Sequence, residues 1–240
     1  MSVQPSGDEP RCVRLATCSF AVADWAWPWA AERAEAIARD WARRRALLPQ
    51  LFEGPVYLLR EQVLAGAALT GTLFRTDFSS FLYWRDHRAE EKGICEVFGA
   101  SLVRSAEGHV LLGRQGPGQL NSGRIYPPSG LIDGDDLQDG AIDIDASIVR
   151  ELAEETGLAP AALERVPGYI ASVSGWQVAV AVEWRSPLAA AALRQRILGF
   201  IDAEAEPELD DIVIVRQRAD IDACTMPPHA QALLRTLLPA

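Results

Sequence analysis

Three glutamates fall close together in the run Arg150-Glu151-Leu152-Ala153-Glu154-Glu155-Thr156-Gly157-Leu158. On a helix, Glu151, Glu154 and Glu155 share one face while Val149 and Leu152 point elsewhere. Carboxylates this close repel one another unless cations hold them. A hard divalent ion such as Mg²⁺ takes oxygen ligands of this kind. Gly157 suits the left-handed position that ends a helix, so the run predicts a metal-binding helix with a defined stop. A plainer reading stands beside it: Arg150 and Glu154 are also an i, i+4 pair, of the sort that decorates any solvated helix.

The run resembles the second half of the Nudix box, whose family pattern is Gly-x5-Glu-x7-Arg-Glu-U-x-Glu-Glu-x-Gly-U with U aliphatic. Arg150, Glu151, Leu152, Glu154, Glu155, Gly157 and Leu158 match it at every fixed position. The first half departs from the pattern. Its first glutamate would fall at Ile142, beside Asp143. Its glycine is best matched by Gly130 in Tyr126-Pro127-Pro128-Ser129-Gly130, which leaves about six residues inserted, roughly Asp135 to Gly140.

The resemblance implies a hydrolase that cuts the pyrophosphate bond of a nucleoside diphosphate linked to another group, with Mg²⁺ or Mn²⁺. Bound cations would cancel the charge that repels an attacking hydroxide and would acidify water. Glu151, Glu154 and Glu155 are then the expected metal ligands, and Glu151, Glu154 and Arg150 the expected catalytic group, with Arg150 bracing the loop against a box glutamate. The missing first glutamate leaves that brace open: Asp143 or Asp145 takes its place, or caps the helix. The general base also stays open between Glu151 and an acid of the loop Glu206-Pro207-Glu208-Leu209-Asp210-Asp211. For substrate, Arg124 and Tyr126 lie just before Gly130, where a loop reaches a phosphate or stacks on a base. The layout is similar to that of Nudix proteins with an N-terminal extension that act on UDP-hexoses such as UDP-glucose. Tyr57 and Phe78 of the extension then become stacking candidates, with core packing as their alternative.

The elements that must position these residues divide the chain at about residue 93. In the first part Asp24-Trp25-Ala26-Trp27-Pro28-Trp29 precedes a helical pattern from Ala30 to Leu48 that Pro49 stops. The tryptophans are expected to wedge that helix onto a core. Strands follow over Pro55 to Arg60 and Leu69 to Arg75, then a short helix through Trp84. In residues 94–240, Glu96 to Arg104 and His109 to Arg114 predict a hairpin. After the box helix come strands over Val166 to Ser174 and Gln177 to Arg185, and a helix from Pro187 to about Ala203. A strand at Ile212 to Arg216 and a helix over Pro228 to Leu238 complete the pattern. The fold expected is α/β (α+β): a Nudix-like αβα sandwich with a mixed sheet over 94–240, preceded by a small α/β domain over 1–93.

Composition narrows the partners. With 240 residues, 49% hydrophobic and 23% charged, the chain has the balance of a globular protein. No apolar run approaches the roughly 20 residues that span a membrane, and no signal peptide is apparent, so no membrane partner and a cytoplasmic setting are expected. Four cysteines without C-x-x-C spacing and three histidines form no zinc pattern; the cysteines are expected as small buried residues. A formal net charge of −10 opposes a nucleic-acid surface, while a homodimer stays open. A second function class remains: a Nudix-like module that senses a nucleotide without cleaving it, which the broken first half of the box would suit.

Overall fold

The computed structural model describes residues 9–88 and 90–239. Among them are strands β1 (Arg11–Leu15), β2 (Thr17–Val22), β3 (Pro55–Ala65), β4 (Ala68–Asp77), β5 (Cys95–Arg104), β6 (Val110–Gln115) and β7 (Ile125–Tyr126). They continue with β8 (Ser129–Leu131), β9 (Leu137–Gln138), β10 (Ala141–Ile142), β11 (Glu164–Arg165), β12 (Tyr169–Val173), β13 (Gln177–Arg185) and β14 (Leu209–Val215). The helices are α1 (Pro28–Glu32), α2 (Ala34–Leu47), α3 (Phe78–His87), α4 (Ile144–Thr156), α5 (Ala190–Ile201) and α6 (Pro228–Leu237).

Strand β5 is the axis of the sheet. Its near-continuous apolar run is that of a strand covered on both faces, and every residue from Cys95 to Val103 is buried. It pairs in parallel with β13 over its whole length and antiparallel with β3, β6 and β8, so the sheet is mixed, as expected. On one face Val97 and Val103 join Ile148 and Leu152 of α4 and Leu193 and Ile197 of α5 in the main core. On the other, Phe98, Ala100 and Leu102 pack with Leu233 of α6. Helices thus cover both faces, the layering that the pattern of elements predicts.

The first two strands carry a feature absent from the sequence reading. Only Ala16 separates β1 from β2, yet β1 pairs with β12 while β2 pairs with β4. These partners lie near opposite ends of the order β1-β12-β13-β5-β3-β4-β2, so the sheet curls back on itself. Leu15 and Phe20 point into the common core and their neighbours are mostly half-buried or exposed, a pattern too short and irregular to read as strands. The expected boundary at residue 93 falls between α3 and β5. Ladder hydrogen bonds cross it between β3 and β5, β1 and β12, and β2 and β10.

The single helix expected over 30–48 is divided. Pro28 begins α1 two residues before the expected Ala30, and Arg33, at φ −110°, interrupts the helix before α2; its guanidinium lies over the Trp29 ring. Trp27 and Trp29 stack 5.2 Å apart and are buried with Phe74, Phe81 and Trp84, which is the wedge role expected of them. All four cysteines are free, but only Cys95 is buried as expected; Cys12 and Cys18 are half-buried, and Cys224 is exposed on the turn before α6.

Candidate active site

Helix α4 is fixed at both ends by its own sequence. The Asp143 carboxylate accepts the Ala146 N–H at 2.9 Å, and Gly157 takes φ 65°, where a Cβ would fall 2.4 Å from the Phe200 ring of α5. Between these ends the glutamates fan out from the buried seam of Ile148 and Leu152. Glu155 is buried at 6% exposure. Its Oε1 accepts the Ser129 N–H of β8 at 3.0 Å, while Oε2 is buried with no hydrogen-bond partner. Burial, aided by the charges of Glu151 and Glu208, pushes its carboxyl well above the usual carboxylate range.

Glu151 lies one turn back against the same strand. A Cβ at Gly130 would fall 2.1 Å from its carboxyl carbon, so only glycine lets β8 and the Glu151 carboxylate lie this close. Burial raises Glu151 to about 7, with Arg150 opposing and Glu154 and Glu208 reinforcing. Glu154 is the outermost of the three, its side chain 60% exposed.

Arg150 has a brace, and it is neither of the expected aspartates. Its guanidinium donates to Asp136 at 3.0 Å and to Glu151 at 2.8 Å, with Asp133 at 3.8 Å and Glu154 at 3.5 Å. Asp143 is the helix cap, and Asp145 binds Arg165 at 2.7 Å and the Tyr169 hydroxyl at 3.0 Å. Asp136 is almost wholly buried and also accepts the Asp133 N–H at 3.1 Å. It belongs to the inserted stretch, so the insertion supplies the carboxylate that the pattern places elsewhere. Burial raises the Asp136 carboxyl and Arg150 counters it; the contact at 3.0 Å is that of an ion pair.

The late acidic loop divides in the same way. Asp210 and Asp211 are held by Arg114 and Arg194 at 2.6 Å each. Glu206 and Glu208 instead line a cleft of about 250 Å³ together with Glu151, Glu154 and Glu155. Burial, reinforced by Glu154, raises the Glu208 carboxyl. Among the described residues no three acidic, histidine or cysteine side chains already converge on one point as a ready metal cluster; Arg150 holds Glu151 aside and Ser129 holds one oxygen of Glu155. The donor set nevertheless fits a hard cation: carboxylate oxygens only, one of them buried and unpartnered.

Arg124, Tyr126 and Gly130 come together, lining a cavity of about 310 Å³ on β8 with Ser129, Glu96, Gln177 and His229. Arg124 donates to the Cys224 carbonyl at 2.9 Å, and the Tyr126 hydroxyl accepts from Asn121 at 3.3 Å. Tyr57 and Phe78 do not line this cavity. Tyr57 is buried in the main core, and Phe78 packs against Trp41 and Phe81; apolar contacts already occupy both rings, so the packing alternative describes them. Glu96, Gln177 and His229 were not singled out by sequence reasoning. The signal was a carboxylate inside the apolar run of β5.

No family model matches the sequence, and no curated protein does. Among solved structures the chain is similar to a MutT protein from Methanosarcina mazei Go1, at 17% identity and a TM-score of 0.40, over 59% of this chain and 91% of that one. It is similar also to the Nudix hydrolase RenU from M. smegmatis, at 19% identity and a TM-score of 0.38, over 59% and 83%. A bifunctional NMN adenylyltransferase/ADP ribose pyrophosphatase from Francisella tularensis matches at 15% identity and a TM-score of 0.40, over 65% and 45%. Likeness at this level transfers no role to any residue of this chain.

Proposed function

We propose that the chain is a Nudix-type hydrolase that cleaves the diphosphate bond of a nucleoside diphosphate joined to another group, a nucleotide sugar among them, with Mg²⁺ or Mn²⁺. The observation that carries this reading is Glu155: a buried carboxylate with one unpartnered oxygen, beside Glu151, in a cleft lined only by acids among its charged groups. Glu151, Glu154 and Glu155 would hold the metal, which when bound supplies charge neutralisation at phosphorus and acidifies water.

The chain's own groups account for the rest. Ser129 fixes Glu155 against β8 by its N–H, and Gly130 leaves room for Glu151 beside the same strand. Asp136 holds Arg150 so that its guanidinium restrains Glu151. Glu208, which faces the same cleft and whose carboxyl burial raises, is the assigned general base, since a raised carboxylate takes up a proton more readily. Tyr57 and Phe78 are assigned a scaffolding role, since packing occupies both rings. Four free cysteines suit a cytoplasmic setting.

The test is phosphate-monoester release from UDP-glucose, ADP-ribose, NADH and a dinucleoside polyphosphate with Mg²⁺, in wild type and Glu155→Gln. Turnover of a compound, lost in the variant, supports the hydrolase. A folded protein that binds one of these ligands and turns none over with any divalent metal leaves the sensing module instead.

A further inference from the structure

The cavity lined by Arg124 and Tyr126 contains a small relay of buried polar groups that the hydrolytic cleft does not use. Gln177 opens β13 beside Glu96 of β5, two residues the parallel register places side by side. Its Nε2 donates to the Glu96 carboxylate at 2.6 Å, and its Oε1 faces Nδ1 of His229 at 3.0 Å. A carboxylate accepts, so the amide nitrogen must turn toward Glu96 and the amide oxygen toward His229. Nδ1 therefore carries the imidazole proton, and Nε2 is left as a bare acceptor. That Nε2 is buried and has no hydrogen-bond partner. Burial depresses the imidazole to about 4, so it is neutral near pH 7.

An unpartnered buried acceptor is costly unless a ligand satisfies it. Here two acceptors, Glu96 and His229 Nε2, are held by one rigid amide, with Phe98 edge-on to the imidazole at 5.1 Å and Tyr126 at 6.1 Å. Arg85 lines the same cavity, its guanidinium over the Phe81 ring, and supplies a cation there. The complement is a planar group with adjacent N–H donors and a neighbouring carbonyl. Adenine and uracil each offer a single donor position flanked by an acceptor, whereas guanine offers N1–H and the 2-amino group together, beside O6.

We infer that this cavity is a nucleobase site selecting the guanine donor edge, with Glu96 and His229 as acceptors and Gln177 as the residue that positions both. The assignment rests on the hydrolase reading only for what is attached to the base. Ser129 and Gly130 line this cavity; Ser129 also donates its N–H to Glu155, and Gly130 leaves the room that Glu151 occupies, so a base here places its phosphates toward the acidic cleft. The uridine expected from layout is therefore not the preferred base.

Calorimetry on the metal-free, full-length protein with GMP, IMP, AMP, UMP and glucose 1-phosphate tests this directly. IMP keeps N1–H and lacks the 2-amino group, and the sugar phosphate supplies hydroxyl donors without a base. GMP is expected to bind tighter than each of the others by on the order of tenfold to a hundredfold. Glu96→Gln, close to isosteric, is expected to remove most of the gap between GMP and IMP; the wild-type series decides the matter even if that variant misfolds. Equal affinities, tighter UMP, AMP or glucose 1-phosphate, or no nucleotide binding at all would overturn the assignment. Hydrolysis of GDP-, ADP- and UDP-glucose with Mg²⁺ separates the two readings. GMP preference without turnover of any diphosphate sinks the hydrolase and keeps the base site, while turnover at one rate for all three bases does the reverse.

Discussion

Glu155 is placed where a carboxylate is disfavoured, and that is the reason to assign it a cation. One oxygen receives a backbone N–H and the other receives nothing. Replacing it with glutamine keeps the acceptor for Ser129 and removes the charge. Glu155→Gln is therefore expected to lose about a hundredfold or more in metal-dependent turnover, while its metal-free melting temperature at pH 8 equals or exceeds that of wild type. A variant that melts well below wild type without metal would mean that the carboxylate is chiefly structural. Gly130 makes a different demand, for space. Gly130→Ala drives a methyl group onto the Glu151 carboxyl, and a displacement of about 1 Å in such a site can cost on the order of a hundredfold in rate. Circular dichroism unchanged with turnover sharply reduced is the expected pair of results; full activity would show that Glu151 is free to move.

At the scale of elements, the insertion before α4 is part of the site. The turn Gly134–Asp136, closed by a capping box between Asp133 and Asp136, delivers Asp136 to Arg150. Asp136→Asn keeps the shape and removes the charge, and is expected to cost about 1.5–3 kcal/mol by urea denaturation, the range for a hydrogen bond to a charged partner. No change would mean that Asp133 and Glu151 hold Arg150 unaided. The same contact shows what the sequence could reveal. Glu151, Glu154 and Glu155 were legible because one helix fixes their spacing, and Asp143 was legible as a cap because capping is local. Asp136 was not, because the path of an irregular loop decides which of several aspartates meets Arg150. Strands β3, β4, β5, β6 and β13 follow from their apolar runs. Strands β1 and β2 escaped because only a few of their side chains are buried and their partners lie far away in sequence.

For the whole molecule, the site sets a pH dependence that a metal should reverse. Glu151 sits at about 7 in the folded chain against an ordinary 4.5, and Glu155 and Glu208 are shifted the same way. The folded state thus holds protons that the unfolded chain releases. Their stabilising contribution is complete below the ordinary carboxylate range and disappears as pH rises through the folded values; for Glu151 alone it amounts to about 3 kcal/mol between those limits. His229, depressed to about 4, acts on the other side: its contribution is lost as pH falls below the ordinary imidazole value, so it offsets part of the carboxylates' effect up to about 6.5. Between roughly pH 6.5 and 8 the carboxylates alone remain, within a chain already carrying a net charge of −10. The metal-free melting temperature is therefore expected to fall across that window by about 2–6 °C. Added Mg²⁺ should raise it more at pH 8, where the glutamates are free to ligate, than at pH 6.5. Glu151→Gln should flatten the metal-free slope and reduce the gain from Mg²⁺ together. A melting temperature that stays level or climbs over this range, or an equal gain from Mg²⁺ at both ends, would separate the acidic cleft from any cation and leave its charge without a counterpart.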